Sequence, residues 1–217
     1  MSNIQQQAQP TQEPAPAAPA APRRFDEIPG APVNHDEPIF FYNQDRPYGE
    51  FSQWARSTFS VSKTRIAEIT QTDSPQDIAG PQELLTFRYA EQFMMFCKAV
   101  RFGDRACQQL ILDTPEPAKQ KVLGQRVRNF TEEGWDAVKS SVVEAASYYK
   151  CQQSPKLKRK LLETGDKLLV EAAARDRIWG IGYPQSTALK YRDTWGENRL
   201  GWALMHARAV LRADEEK

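Results

Sequence analysis

The chain has 217 residues, enough for one domain with a tail or for two small domains. Its 29 basic and 28 acidic side chains leave a net charge of +1, so no overall field draws it onto nucleic acid or a membrane, although a local patch can still bind. No apolar run nears the roughly 18 residues of a membrane span, and no charged start leads into a signal-peptide core.

Three widely spaced cysteines (Cys97, Cys107, Cys151) argue against a disulfide framework and for a reducing compartment. His35 and His206 are isolated, and no Cys/His cluster has metal-ligand spacing. The expectation is a cytoplasmic protein, a nuclear location being left open, with no metal, no cofactor and no membrane partner.

Taken in chain order, residues 1–24 are Gln, Pro and Ala with almost nothing to bury, and cannot offset their own ordering entropy. They are expected to be disordered, and residues 25–38, with Pro29, Pro32 and Pro38, to continue as a linker. Folding is expected over residues 39–212, with 213–217 a charged end. Phe40 and Phe41 precede a polar turn (Asn43 to Pro47), and an aromatic-rich segment then reaches Phe59 and Val61, a pattern of short strands. Residues 65–82 are polar, with turn signals at Asp73-Ser74-Pro75 and Gly80-Pro81, and read as an insertion loop.

Residues 87–99 (FRYAEQFMMFCKA) read as a buried helix that nevertheless carries Glu91 and Lys98. Thr114-Pro115 is a helix-start signal and Gly124 a stop. The clearest helix spans about 132–150, where Trp135, Val138, Val142, Ala145, Ala146 and Tyr149 form one apolar stripe. Thr131 can cap it, and Phe130 and Trp135 have the spacing of a hydrophobic staple. Ser154-Pro155 opens a helix that Gly165 ends, residues 167–173 (KLLVEAA) read as a short buried strand, and a last helix carries Leu200, Ala203, Leu204, Ala207 and Leu211 on one face. The fold class is α+β, mostly helical, without the βαβ rhythm of a Rossmann fold.

Glu91 and Lys98 lie seven residues apart, about two helical turns, and project from one side. On helix physics alone, surface placement or pairing of Glu91 with Arg88 is the better reading; the sharper one is a cleft carboxylate in an apolar wall, tuned as a base or as a stabiliser of positive charge. Trp179-Gly180-Ile181-Gly182 sets an indole beside a backbone that a ligand can approach closely, with Asp176 and Glu171 upstream. Asn198 and Arg208 flank the last apolar face. The run Lys156, Lys158, Arg159, Lys160 is read as a solvated helix face.

These stretches, in this order, resemble the NADAR (YbiA-like) family. Phe51-Ser52-Gln53-Trp54 is similar to its FS-x-[FW] segment, and Glu91-Gln92 with Lys98 to its E-[HQ]-x(5)-K helix. Gly124-Gln125-Arg126 and Trp135 follow, then Glu171, Asp176, Trp179, Gly180 and Gly182, and finally Asn198, Leu200, Gly201, Leu204, Met205 and Arg208. Gln92 stands where the riboflavin-type members have His, and Met95 where they have Gln, departures that bear on the substrate more than on the fold.

The resemblance implies hydrolysis of an N-glycosidic bond between a ribose, phosphoribosyl or ADP-ribosyl, and a nitrogenous base. The substrates it suggests are the phosphoribosyl-aminopyrimidines of riboflavin synthesis or ADP-ribosylated guanine, and ADP-ribosylated nucleic acid is a conceivable partner. It implies Glu91 and Asp176 as catalytic carboxylates, and Lys98, Trp135, Trp179, Gly180, Gly182, Asn198, Phe51 and Ser52 as substrate-binding residues. The rival reading is a module that binds NAD or ADP-ribose groups without turnover; carboxylates in the cleft of an anion binder argue against it.

Overall fold

The first strand, β1 (Asn34–Phe41), starts inside the segment expected to be linker, because residues 34–41 have a partner strand to pair with. That partner is β4 (Lys167–Glu171), parallel to it, with Phe41 opposite Glu171. The structure, a computed structural model, describes residues 32–216, so the expected disordered tail and the first part of the linker lie outside the described residues.

A 3₁₀ turn at Gly49–Phe51 leads to β2 (Phe59–Ser62), which runs antiparallel to β3 (Leu84–Phe87). Between them, helix α1 (Lys63–Thr70) replaces the first part of the expected insertion loop. Ser62 caps it by accepting from the Arg65 N–H, and Ile66, Ala67, Ile69 and Thr70 are buried beneath an otherwise polar sequence. It ends at Gln71, which takes the left-handed conformation (φ 53°), and the turn signals that follow form a 3₁₀ turn at Pro75–Asp77.

Helix α2 (Ala90–Arg101) is central: it packs against α1, α3 (Arg105–Asp113), α4 (Pro117–Gln125) and α6 (Lys139–Gln152). Phe93 and Phe96 meet Phe59 and Phe87 of the β2–β3 pair edge-on, with ring centroids 5.1–5.8 Å apart. Helix α4 starts with Pro117 behind Glu116, two residues after the expected Thr114-Pro115. The stripe expected over 132–150 is buried throughout, but on two helices, α5 (Glu132–Asp136) and α6, broken at Val138. Thr131 does cap α5, accepting from the Gly134 N–H. The Phe130 ring lies 5.4 Å from that of Phe102.

Helix α7 (Pro155–Leu162), capped by Ser154, precedes β4. A short α8 (Gln185–Ala188) and a 3₁₀ turn at Leu189–Thr194 lead to α9 (Arg199–Glu215), which extends into the segment expected as a separate charged end. α9 packs on α6 and β4 with the predicted face, Leu200, Ala203, Leu204, Ala207 and Leu211, buried. The three cysteines are free and buried, and no helix among the described residues is long and apolar enough to cross a membrane.

Candidate active site

Glu91 sits in the first turn of α2, where a carboxylate faces the positive end of the helix dipole. Its N–H donates to the Gln53 carbonyl (3.2 Å), which ties the helix start to the Phe51–Trp54 segment. The side chain is only 6% exposed, and its Oε2 accepts from the Trp54 indole Nε1 at 3.3 Å. Burial pushes the Glu91 carboxyl above the ordinary carboxylate range; Lys121 and the Trp54 N–H pull it back, and Asp176 raises it further. Arg88, the expected partner on the surface reading, forms no ion pair with it among the described residues.

Lys98 is not at this site. Its Nζ stands 4.0 Å over the Phe130 ring, near the C-terminal end of α2, and burial lowers its pKa. Seven residues bring a side chain back to the same azimuth but about 10 Å further along the axis. The cation beside Glu91 is Lys121 of α4, whose Nζ lies 6.0 Å from the Trp54 ring centroid. α4 comes this close because residue 124 is glycine: a Cβ there would stand 2.0 Å from the Met95 Sδ. Gly124 is thus a contact point within the last turn of α4, not the residue that stops it.

The second wall is the end of β4. Asn198 adopts the left-handed conformation (φ 52°) that asparagine tolerates, and its amide bridges the strand. Oδ1 accepts from the Glu171 N–H (3.0 Å) and Nδ2 donates to the Leu169 carbonyl (2.8 Å). The Glu171 carbonyl accepts from Ile181 N–H (3.0 Å), and a Cβ on Gly180 would approach that same carbonyl to 2.7 Å. Glu171 is therefore held from three directions. Its carboxyl is pushed up to about 8, by burial first, then by the Asp176 and Glu91 charges, with Lys121 opposing. Its Oε2 is shut off from solvent and has no hydrogen-bond partner among the described residues.

Asp176 closes the cluster from the loop after β4. Its Oδ1 accepts from the N–H groups of Ile178 (2.9 Å) and Trp179 (2.8 Å). This local turn orients Trp179, which is half-buried against the core, and Gly182 follows at φ 79°. Glu91, Glu171 and Asp176 thus act on one another electrostatically, with Lys121 as their neighbouring cation and Trp54 at the rim, 40% exposed.

The remaining predicted residues take other places. Trp135 is buried at the head of its helix stripe. Phe51 is core, edge-on to Phe41 and stacked on Tyr48. Ser52 ties its segment down: its Oγ accepts from the Trp54 N–H (3.2 Å), and its carbonyl accepts from Lys150 Nζ (2.7 Å). Lys150 is buried in α6, and desolvation lowers its pKa to about 8. Gly180 and Asn198 pack and clamp rather than face the carboxyls. Gln92 is occupied with the Arg88 N–H and the Ile111 carbonyl.

Lys121 left no sequence signal except Gly124 one turn later, whereas Trp54 and Glu171 stand inside the quoted motifs without an assigned role. Among the described residues no group of three or more His, Cys, Asp or Glu side chains is arranged to hold a metal ion. A separate shallow groove along α7 and the end of α9, lined by Lys158, Leu162 and Glu215 among others, contains none of these residues.

The NADAR domain model matches residues 40–212, a span that contains every residue of the cluster. The chain is 34% identical over 178 residues to the N-glycosidase R617 of Acanthamoeba polyphaga mimivirus, covering 80% of this chain and 95% of that protein. It is 26% identical over 179 residues to the N-glycosidase YbiA of Escherichia coli (strain K12), covering 82% and 91%. The NMR structure of E. coli YbiA superposes with a TM-score of 0.60 at 26% identity, covering 85% of this chain and 90% of that one.

Proposed function

Because the chain belongs to the NADAR domain family, we propose that it hydrolyses the bond between a ribose, carried as a phosphoribosyl or ADP-ribosyl group, and a nitrogenous base. It is an N-glycosidase, the activity for which its relatives at 34% and 26% identity are named. The sugar, its phosphates and the leaving base are the finer part of the reading.

One observation carries it: Glu91 is a buried carboxylate with a single long N–H donor and no ion pair among the described residues. A structural carboxylate at that depth costs several kcal/mol unless it is paired. Cleavage of an N-riboside passes through an oxocarbenium-like state, and a desolvated carboxylate beside the anomeric carbon gains its full electrostatic effect as that charge develops. Glu91 takes that role. Asp176 holds the ribose hydroxyls or takes the proton of the attacking water. Trp179 and Trp54, both partly exposed, are the rings on which a base can stack, in place of the buried Trp135. Lys121, exposed beside the carboxyls, takes over from Lys98 the role of cation for a phosphate.

The test is incubation with ribosides, ribose-5-phosphate derivatives and ADP-ribosylated bases, following the freed base and sugar by mass spectrometry. Release of base with one oxygen from labelled water on the sugar supports the reading. Binding of these compounds without any release contradicts it.

A further inference from the structure

Three carboxyls bear on one another at this site, and their donors differ. Asp176 receives two backbone N–H groups. Glu91 receives the Trp54 indole N–H and has Lys121 nearby. Glu171 receives nothing at Oε2, although that atom is buried and its backbone is held by Asn198, Ile181 and the Gly180 contact. Carboxylates crowded into a low-dielectric site cannot all ionise, and the proton settles on the one least served by donors. The charged groups that act on Glu171 are Asp176 from its own loop, Glu91 from α2 and Lys121 from α4.

Building on the N-glycosidase reading, we propose that Glu171 is a further catalytic residue, a protonated carboxyl that donates its proton to the nitrogen of the leaving base. As the C1′–N bond breaks, its electron pair goes to the base nitrogen, and the Glu171 O–H proton is transferred to that lone pair. The base departs neutral and Glu171 becomes a carboxylate. The ribosyl cation, facing Glu91, is captured by water, which forms the C1′–O bond and gives up a proton to Glu91 or Asp176. Return of that proton to Glu171 closes the cycle, with one water consumed and one N–H and one O–H formed.

This assignment is consistent with a pKa near 8, which keeps the acid loaded at neutral pH, close to where a general acid works best. A carboxyl whose only task was structural would have a donor or an acceptor at Oε2.

Two leaving groups and one spectroscopic probe test the proposal. Turnover of an N-riboside with a poorly acidic base requires the acid, whereas a 4-nitrophenyl riboside leaves without protonation. Glu171→Gln is expected to slow the first about 10²–10⁴-fold and the second less than about tenfold, and to abolish the fall of kcat on the alkaline side. Glu91→Gln is expected to slow both alike. In the unaltered protein the alkaline fall should appear for the first substrate and be missing for the second, a comparison that holds even if Glu171→Gln fails to fold. Infrared difference spectra at neutral pH should show a protonated carboxyl band that Glu171→Gln removes. Equal losses on both substrates, an alkaline fall shared by both, or no such band in the wild-type protein would overturn it. The band needs no substrate, so a wild-type protein that releases no base refutes the glycosidase reading separately.

Discussion

Replacing Glu91 by Gln changes one atom and removes one buried charge. The amide oxygen can still accept from Trp54 Nε1, and the Glu91 N–H bond to the Gln53 carbonyl belongs to the backbone, so the local structure should persist. The stability effect follows from the raised pKa: folding already disfavours the ionised form, so neutralising it should leave stability unchanged or raise it by up to about 1 kcal/mol. Catalysis should suffer far more. A carboxylate that stabilises an oxocarbenium-like state or activates water contributes about 10²–10⁴-fold, or ~3–5 kcal/mol of barrier at 1.36 kcal/mol per decade. KM should move little, since the benefit is concentrated in the transition state. Base release followed by mass spectrometry gives kcat and KM, and urea unfolding gives stability. A mutant that is less stable yet cleaves at close to the wild-type rate would show that Glu91 is structural and the assignment wrong.

Lys121→Met should raise KM for phosphorylated substrates and move the acidic limb of turnover to higher pH, because Lys121 holds the Glu91 and Glu171 carboxyls down; Lys98→Met should leave both nearly unchanged. Gly124→Ala, which in an ordinary helix interior stabilises by about 0.5–1 kcal/mol, should here destabilise by about 1–3 kcal/mol in urea unfolding, since the new Cβ meets Met95. Trp179→Ala should raise KM with a stability loss well below the ~3–5 kcal/mol of a full aromatic core truncation, since the ring is only half-buried. Wild-type stability should fall between about pH 4.5 and 8 relative to Glu171→Gln. The folded protein holds the Glu171 proton up to about pH 8 and the unfolded chain loses it near 4.5, so the contribution present below 4.5 is lost as pH rises, by at most about 5 kcal/mol. Parallel melting curves across that range would refute the burial of an unpaired carboxyl.

Local signals read correctly wherever a residue acts on its own turn of chain or on one continuous face. Ser154 and Thr131 cap helices because an N-cap needs only an oxygen and an N–H three residues on. The α9 face is legible because burial repeats with the helical period, and the strand at 167–171 because a short continuous apolar run marks a strand buried on both faces. The α1 segment misled because one cap and four buried side chains outweigh a polar composition once α2 and α6 pack against it. Residues 34–38 look like linker until β4 pairs with Asn34 on one side of them and Ile39 on the other, across an irregularity in the register. The ordered motif was enough for the family, and it contained Glu91, Asp176, Trp54 and Glu171. It could not say which of them meet. Whether a cation serves Glu91 depends on height along α2 as well as azimuth, and that is decided by how closely α4 approaches over Gly124, which brings in Lys121 and leaves Lys98 with Phe130. The pKa of Glu171 depends on carboxyls 80 residues before it and five after it, whose fields reach it through space and only once the chain has folded.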